Sequence, residues 1–211
     1  MTRVRTAAAA ATVVAAVAAA VAGAAPTDVS IAARSAIVPW AAGAALAGSI
    51  SGGAGEAVHV EAKECGLDGF RLVAITTTGA GGSWTEQIAL MKNTTFRARW
   101  KGSTSGEVTV RTRPGMILRR RSAIGWEVVT LAGQYFHDRL GELQRFDSQR
   151  QRWVRVATFR MKSAGATTGV TVASEARFTA RVPRGALVRA TLPNPSTGPC
   201  YLAGFSNAVR R

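Results

Sequence analysis

The sequence predicts an all-β protein of two tandem sandwiches behind an N-terminal leader helix, and three observations carry that prediction. Short β-rich runs alternate with Gly- and Pro-rich turn clusters, no long segment has a convincing 3.6-residue period, and the chain resembles itself at shifts of 83 and 92 positions. With 211 residues, 47% of them hydrophobic, there is apolar material for two cores of roughly 100 residues each. Two cysteines and two histidines exclude a disulfide-dense miniprotein and a zinc-finger array.

The first element is a leader. Arg3 and Arg5 precede an Ala/Val run from Ala7 to Val21, and Ala22-Gly23-Ala24 supplies small residues for cleavage. This is the three-part pattern of a secretory signal peptide over residues 1–24. The mature chain is expected to be secreted or cell-wall associated; an uncleaved signal anchor holding it to a membrane is the alternative.

After the leader, turn clusters at Gly52-Gly53-Ala54-Gly55, Gly79-Ala80-Gly81-Gly82 and Gly102-Ser103-Thr104-Ser105-Gly106 separate the strand-like runs. In Thr94-Thr95-Phe96-Arg97-Ala98-Arg99-Trp100 the residues Phe96, Ala98 and Trp100 share one face and Arg97 and Arg99 the other. Such alternation marks a strand buried on one side. A shift of 83 pairs Val60 with Leu143, Phe70 with Trp153, Val73 with Val156 and Ala74 with Ala157; a shift of 92 pairs Phe96-Arg97-Ala98 with Val188-Arg189-Ala190. The difference of nine reads as a longer loop around Ser163 to Thr168. The units are then residues 25–113 and 114–211, joined at Arg111-Thr112-Arg113-Pro114 without room for a flexible linker.

Four segments carry a family resemblance: Asn93 to Trp100, Val108-Thr109-Val110, the hairpin from Leu143 to Ala157, and Gly198-Pro199-Cys200-Tyr201-Leu202-Ala203-Gly204. Together they resemble the tandem immunoglobulin-like repeats of secreted actinobacterial proteins, over most of the mature chain. The resemblance implies immunoglobulin-like sandwiches and no particular activity, because such modules serve as stalks, spacers and add-ons. It also implies that Cys65 follows the third strand of unit one and Cys200 precedes the last strand of unit two. Stacked head to tail, the units would bring these loops to one junction, with a Cys65–Cys200 bridge expected in an oxidising compartment. Two buried or free thiols are the alternative.

The net charge of +15 is unevenly placed. Residues 25–112 hold eight basic and seven acidic residues, whereas the segment from Arg113 onward holds seventeen basic and five acidic, a net +12. The candidate anion-binding residues are Arg119, Arg120, Arg121, Arg150, Arg152 and Arg155. A solvated Arg-rich surface is the competing reading. Nucleic acid is disfavoured as a partner, since no aromatic platform clearly interleaves with the arginines; Trp153, on a strand of ambiguous parity, is the exception.

No catalytic or metal site and no cofactor is expected. Gly48 to Gly52 and Gly102 to Gly106 lack a serine at the nucleophile position, the glycine clusters lead into strands and not helices, and the acids are scattered. His59 reads as solvated and His137-Asp138 as turn chemistry; Asn93-Thr94-Thr95 fits a glycosylation pattern but reads more simply as a turn. The expected function is a monomeric structural or adhesive module of the cell envelope, its partner a cell-wall polyanion or another envelope protein. The alternative is a polyanion- or glycan-binding protein using the Arg-rich second unit.

Overall fold

A computed structural model describes residues 28–211, without the side chains of Ser163, Ala166, Thr167 and Thr168. The expected signal peptide lies outside the described residues. The earlier strands are β1 (Ala32–Ala33), β2 (Ile37–Val38), β3 (Gly43–Ser49), β4 (Ala57–Glu64), β5 (Arg71–Thr77), β6 (Ser83–Ala89), β7 (Thr94–Trp100), β8 (Ser103–Thr104) and β9 (Val108–Thr112). There follow β10 (Gly115–Arg120), β11 (Gly125–Ala132), β12 (Leu140–Asp147), β13 (Arg152–Arg160), β14 (Lys162–Thr168), β15 (Thr171–Thr179), β16 (Leu187–Leu192), the one-turn helix α1 (Asn194–Thr197), β17 (Gly204–Phe205) and β18 (Val209–Arg210).

These strands form two immunoglobulin-like sandwiches. The first packs the sheet β1-β3-β6 on the sheet β2-β9-β7-β4-β5, with β8 added to β7; β2 runs parallel to β9. The second packs β10-β11-β15-β14 on β13-β12-β16-β17, with β18 added to β16. Each has its own apolar core, because alternate residues of facing strands turn inward. Leu46, Val58, Val60, Trp84, Phe96, Ala98 and Val110 fill one; Leu118, Trp126, Val128, Leu143, Phe159, Val188 and Leu192 fill the other. Phe96 and Ala98 are fully buried, Trp100 is half-buried and Arg99 is exposed, as the alternation requires.

The self-similarity extends to strand register. Val60 lies opposite Ala74 on β5 and Ala98 on β7, and Leu143 lies opposite Ala157 on β13 and Ala190 on β16. Both ladders slip at the same place, between Val60 and Glu61 and between Leu143 and Gln144, so that Val73 and Val156 become the extra residues of matching β-bulges. The bulge resolves the parity of β13. Trp153 pairs with Phe146 on one face, while Val156 and Ala157 both pack toward the core.

One expectation is corrected. The segment from Ser163 to Thr168 is a strand and not a loop: β14 pairs antiparallel with an elongated β15, with register shifts after Ser163 and after Ala166. Its small residues give weak strand propensity, and the neighbouring ladder of β15 overrides it.

Gly141 sits beneath the Phe159 ring, in space that a Cβ would overlap. Gly141→Ala should therefore destabilise the protein by about 1–3 kcal/mol, as overpacking of a filled core does. Gly53→Ala, with nothing within 4 Å of its added carbon, should leave the thermal midpoint nearly unchanged; paired melting curves check both.

Candidate binding surfaces and the clamped junction

The turn after β4 and the turn between β16 and β17 meet through a disulfide, Cys65–Cys200, with a Cα–Cα distance of 5.3 Å. Cys65 thereby packs against the core of the second sandwich although it belongs to the first in sequence. No free cysteine is present among the described residues. The bridge expected from the resemblance is thus the one the structure contains.

Around the bridge, Asn93 uses all four of its polar atoms. Its N–H donates to the Cys200 carbonyl at 2.9 Å and its carbonyl accepts from the Cys65 N–H at 2.9 Å. Its side-chain Nδ2 donates to the Pro199 carbonyl at 3.0 Å, and Oδ1 accepts from the Thr112 N–H at 2.8 Å. The amide nitrogen of the apparent glycosylation pattern is therefore committed to the junction. Leu202 N–H donates to the Thr112 carbonyl at 2.9 Å, and Arg113 Nη1 donates to the Ala203 carbonyl at 2.6 Å. Tyr201 Oη accepts from the Gly133 N–H at 2.8 Å and donates to the Met91 carbonyl. Burial pushes its pKa up to about 12. Beside this junction lies an open cavity of about 570 Å³, lined by Lys63, Thr95, Thr109, Arg111 and Asn194 among others.

The six candidate arginines do not form one patch. Arg119, Arg120 and Arg121 lie on or just after β10, in one sheet; Arg150, Arg152 and Arg155 lie in the β12–β13 hairpin of the other. Arg121 and Arg119 approach Glu127 at 2.6 and 3.7 Å, and Arg177 on β15 adds a contact at 3.0 Å, so the Glu127 side chain is only 2% exposed beneath three guanidinium groups. The hydrogen bond from Arg121 holds the Glu127 carboxyl below its ordinary 4.5; burial opposes this and Arg177 reinforces it. Arg120 Nε donates to the Ser122 carbonyl, Arg150 approaches Asp147 at 3.5 Å, and Arg155 approaches Glu142 at 3.4 Å. Arg152 is exposed at the start of β13.

An aromatic platform does interleave with cations: it is built on Trp153, the exception expected from the sequence, together with Arg189 and Phe205, which were not expected there. Arg189 on β16 places its guanidinium carbon 4.3 Å from the Trp153 ring centre and 4.5 Å from that of Phe205. Phe146 packs on Trp153 at 5.4 Å, and Arg113 stands 5.4 Å over Phe205. The first sandwich repeats the motif: Arg97 lies 4.0 Å over Phe70. The shifts of 83 and 92 already paired Phe70 with Trp153 and Arg97 with Arg189, which is the signal that could have found it.

The histidines form no evident catalytic constellation. His59 is exposed on β4, opposite Ile75 and Arg99; His137 Nε2 lies 3.2 Å from Asp138 Oδ2 in an exposed turn where Asp138 takes a positive φ of 59°. Among the described residues there is no group of three or more His, Cys, Asp or Glu able to hold a metal.

No protein-family model and no curated protein matches this chain. Among solved structures, two marsupial T cell receptor structures align with 87% and 88% of this chain and 100% of their own, at 8% and 9% identity and TM-scores of 0.33 and 0.32. Values this low transfer nothing about activity; the fold assignment stands on the strand order above.

Two substitutions test these contacts. Tyr201→Phe leaves the Gly133 N–H and the Met91 carbonyl without their partner and should cost about 1–2 kcal/mol. The wild-type phenol stays neutral in the fold up to about 12, so its contribution is complete below the ordinary value of 10.0 and lost as pH rises toward 12. The gap between wild type and Tyr201→Phe should therefore narrow across that alkaline range in chemical denaturation. Glu127→Gln should lower the melting temperature at pH 7. Because the folded pKa of Glu127 is depressed, its contribution is complete above 4.5 and lost as pH falls through the lower folded value, so the two proteins should converge as acid takes the pH down from 4.5.

Proposed function

We propose that this protein is an exported, non-catalytic module of two immunoglobulin-like units, residues 25–113 and 114–211, serving as a structural or adhesive element at the cell envelope. The observation that carries this reading is the junction, where one disulfide, the Asn93 bonds and the Leu202–Thr112 bond hold the turn after β4, the start of β7 and the end of β9 against the loop between β16 and β17. A clamped pair of sandwiches transmits force and keeps a fixed spacing. The disulfide fits an oxidising compartment, and no helix among the described residues is long and apolar enough to cross a membrane.

Fractionation of the producing cells tests the reading. The protein should be recovered from the medium or the envelope, with a mass corresponding to cleavage after Ala24 and rising by two hydrogens on reduction. Recovery from the cytosol with two free thiols would overturn it.

The charge of the segment from Arg113 onward supports a second reading, binding of an acidic envelope polymer. Retention on heparin should fall with salt, and Arg119→Ala, Arg120→Ala and Arg121→Ala together should lower the eluting salt concentration. Unchanged elution would remove the Arg119–Arg121 run from the site.

A further inference from the structure

The two sandwiches carry the same guanidinium-on-ring motif with one difference in charge. In the first, Arg97 donates from Nε to Glu61 at 2.6 Å, and Arg99 reaches the same carboxylate at 3.3 Å, so the guanidinium over Phe70 has its counter-charge within the unit. The shift that pairs Phe70 with Trp153 pairs Glu61 with Gln144. Arg189 accordingly donates from Nε to the Gln144 amide oxygen at 3.1 Å. Gln144 in turn donates from Nε2 to Glu142 at 3.0 Å, and the other oxygen of Glu142 faces Arg155 at 3.4 Å. Among the described residues no carboxylate lies within 4 Å of Arg189. Its guanidinium is flanked by two rings and partly desolvated, which pulls its pKa below the ordinary 12.5. A cation taken from water without a counter-charge is costly, and an incoming anion recovers that cost.

We propose that Arg189, flanked by Trp153 and Phe205, is a carboxylate-recognising subsite for an acidic polysaccharide. With Nε given to Gln144 and the planes given to the rings, the terminal Nη edge is what remains for a ligand. That edge is a planar fork matched to a carboxylate. Phe205, with Arg189 and Arg113 over its ring, is 40% exposed, and that exposed part gives a pyranose ring apolar surface to contact. The adjoining ladders pair β16 with β12 on one side and with β17 and β18 on the other, so a peptide would find few free backbone groups on this face. A uronate-bearing sugar, carrying a carboxylate on an apolar-faced ring, satisfies both features. The site rests on the polymer-binding reading above and names its contact.

Calorimetric titration of the oxidised protein with trigalacturonate tests the assignment. Wild type should bind one equivalent, and the methyl-esterified trisaccharide should not bind. Gln144→Glu installs the counter-charge that Glu61 supplies in the first unit, at the cost of the Gln144–Glu142 hydrogen bond, and it should weaken binding at least tenfold. Arg34→Gln, an exposed change of equal net charge in the first unit, should leave affinity within twofold. Arg189→Lys, which keeps the charge but removes the fork, should weaken binding severalfold and serves if Gln144→Glu proves unstable. Equal affinity of wild type and Gln144→Glu, or equal binding of the ester, overturns the subsite. If polygalacturonate retention survives Gln144→Glu and Arg189→Lys but is lost in the Arg119–Arg121 triple variant, polymer binding stands and the subsite falls. If wild type is not retained at all, both fall.

Discussion

Asn93 and the Cys65–Cys200 bridge are the constraint on which the arrangement of the two sandwiches depends. The disulfide fixes one point, and a single covalent link between two turns still permits rotation. Asn93 removes that freedom, because its backbone bonds both cysteine segments while its side chain bonds Pro199 and Thr112. Thr112 ends β9 and its carbonyl accepts from Leu202, so the strand leaving the first core is tied to the loop that closes the second. Only Arg113 and Pro114 then separate β9 from β10. A short connection, a covalent clamp and a ring of hydrogen bonds act on the same few residues. In the chain-entropy treatment a link closing a loop of this size, sequence separation 135, restricts the unfolded chain by about 5 kcal/mol, less any strain.

Given that frame, the two sandwiches are variations on one register. The bulges at Val73 and Val156 coincide, and the core pairs Val60–Ala98 and Leu143–Ala190 occupy the same ladder positions. The cores are filled differently at one matching position: Gly48 faces Trp84 in the first unit, where an added Cβ would strike both the indole and a backbone carbonyl, and Val128 faces Ala176 in the second. Charge on the outer face is not conserved in the same way. Glu61 closes its circuit with Arg97 and Arg99, and Gln144 leaves Arg189 open.

The all-β class, the two-unit register and the disulfide were legible in the sequence because each rests on a pattern with a fixed period or on a loop position that the resemblance supplies. The alternation of Phe96, Arg97, Ala98 and Arg99 needs only the strand period of two. The role of Asn93 was not legible, since its neighbours also fit a glycosylation pattern and a turn, and only the fold brings Pro199 within reach. The strand β14 was hidden by its small residues, whose pairing is decided by β15. Arg189 was passed over because its partners, Trp153 and Phe205, stand on other strands and lie far from it along the chain.

The basic excess of the second unit also changes meaning once its arginines are placed. A net charge acts at long range as a sum, screened over about 8 Å at physiological salt, but at short range what matters is which cations lack a partner. Arg119, Arg121 and Arg177 are spent in burying Glu127, and Arg150 and Arg155 each have an acid beside them. Those contacts leave the sum of charges unchanged while they tie the densest arginine run to the sheet that carries it. Specific recognition must then be sought where a guanidinium is held rigid and left without a carboxylate. Two rings and one amide oxygen do that to Arg189, on the face opposite to the run that the composition first drew attention to.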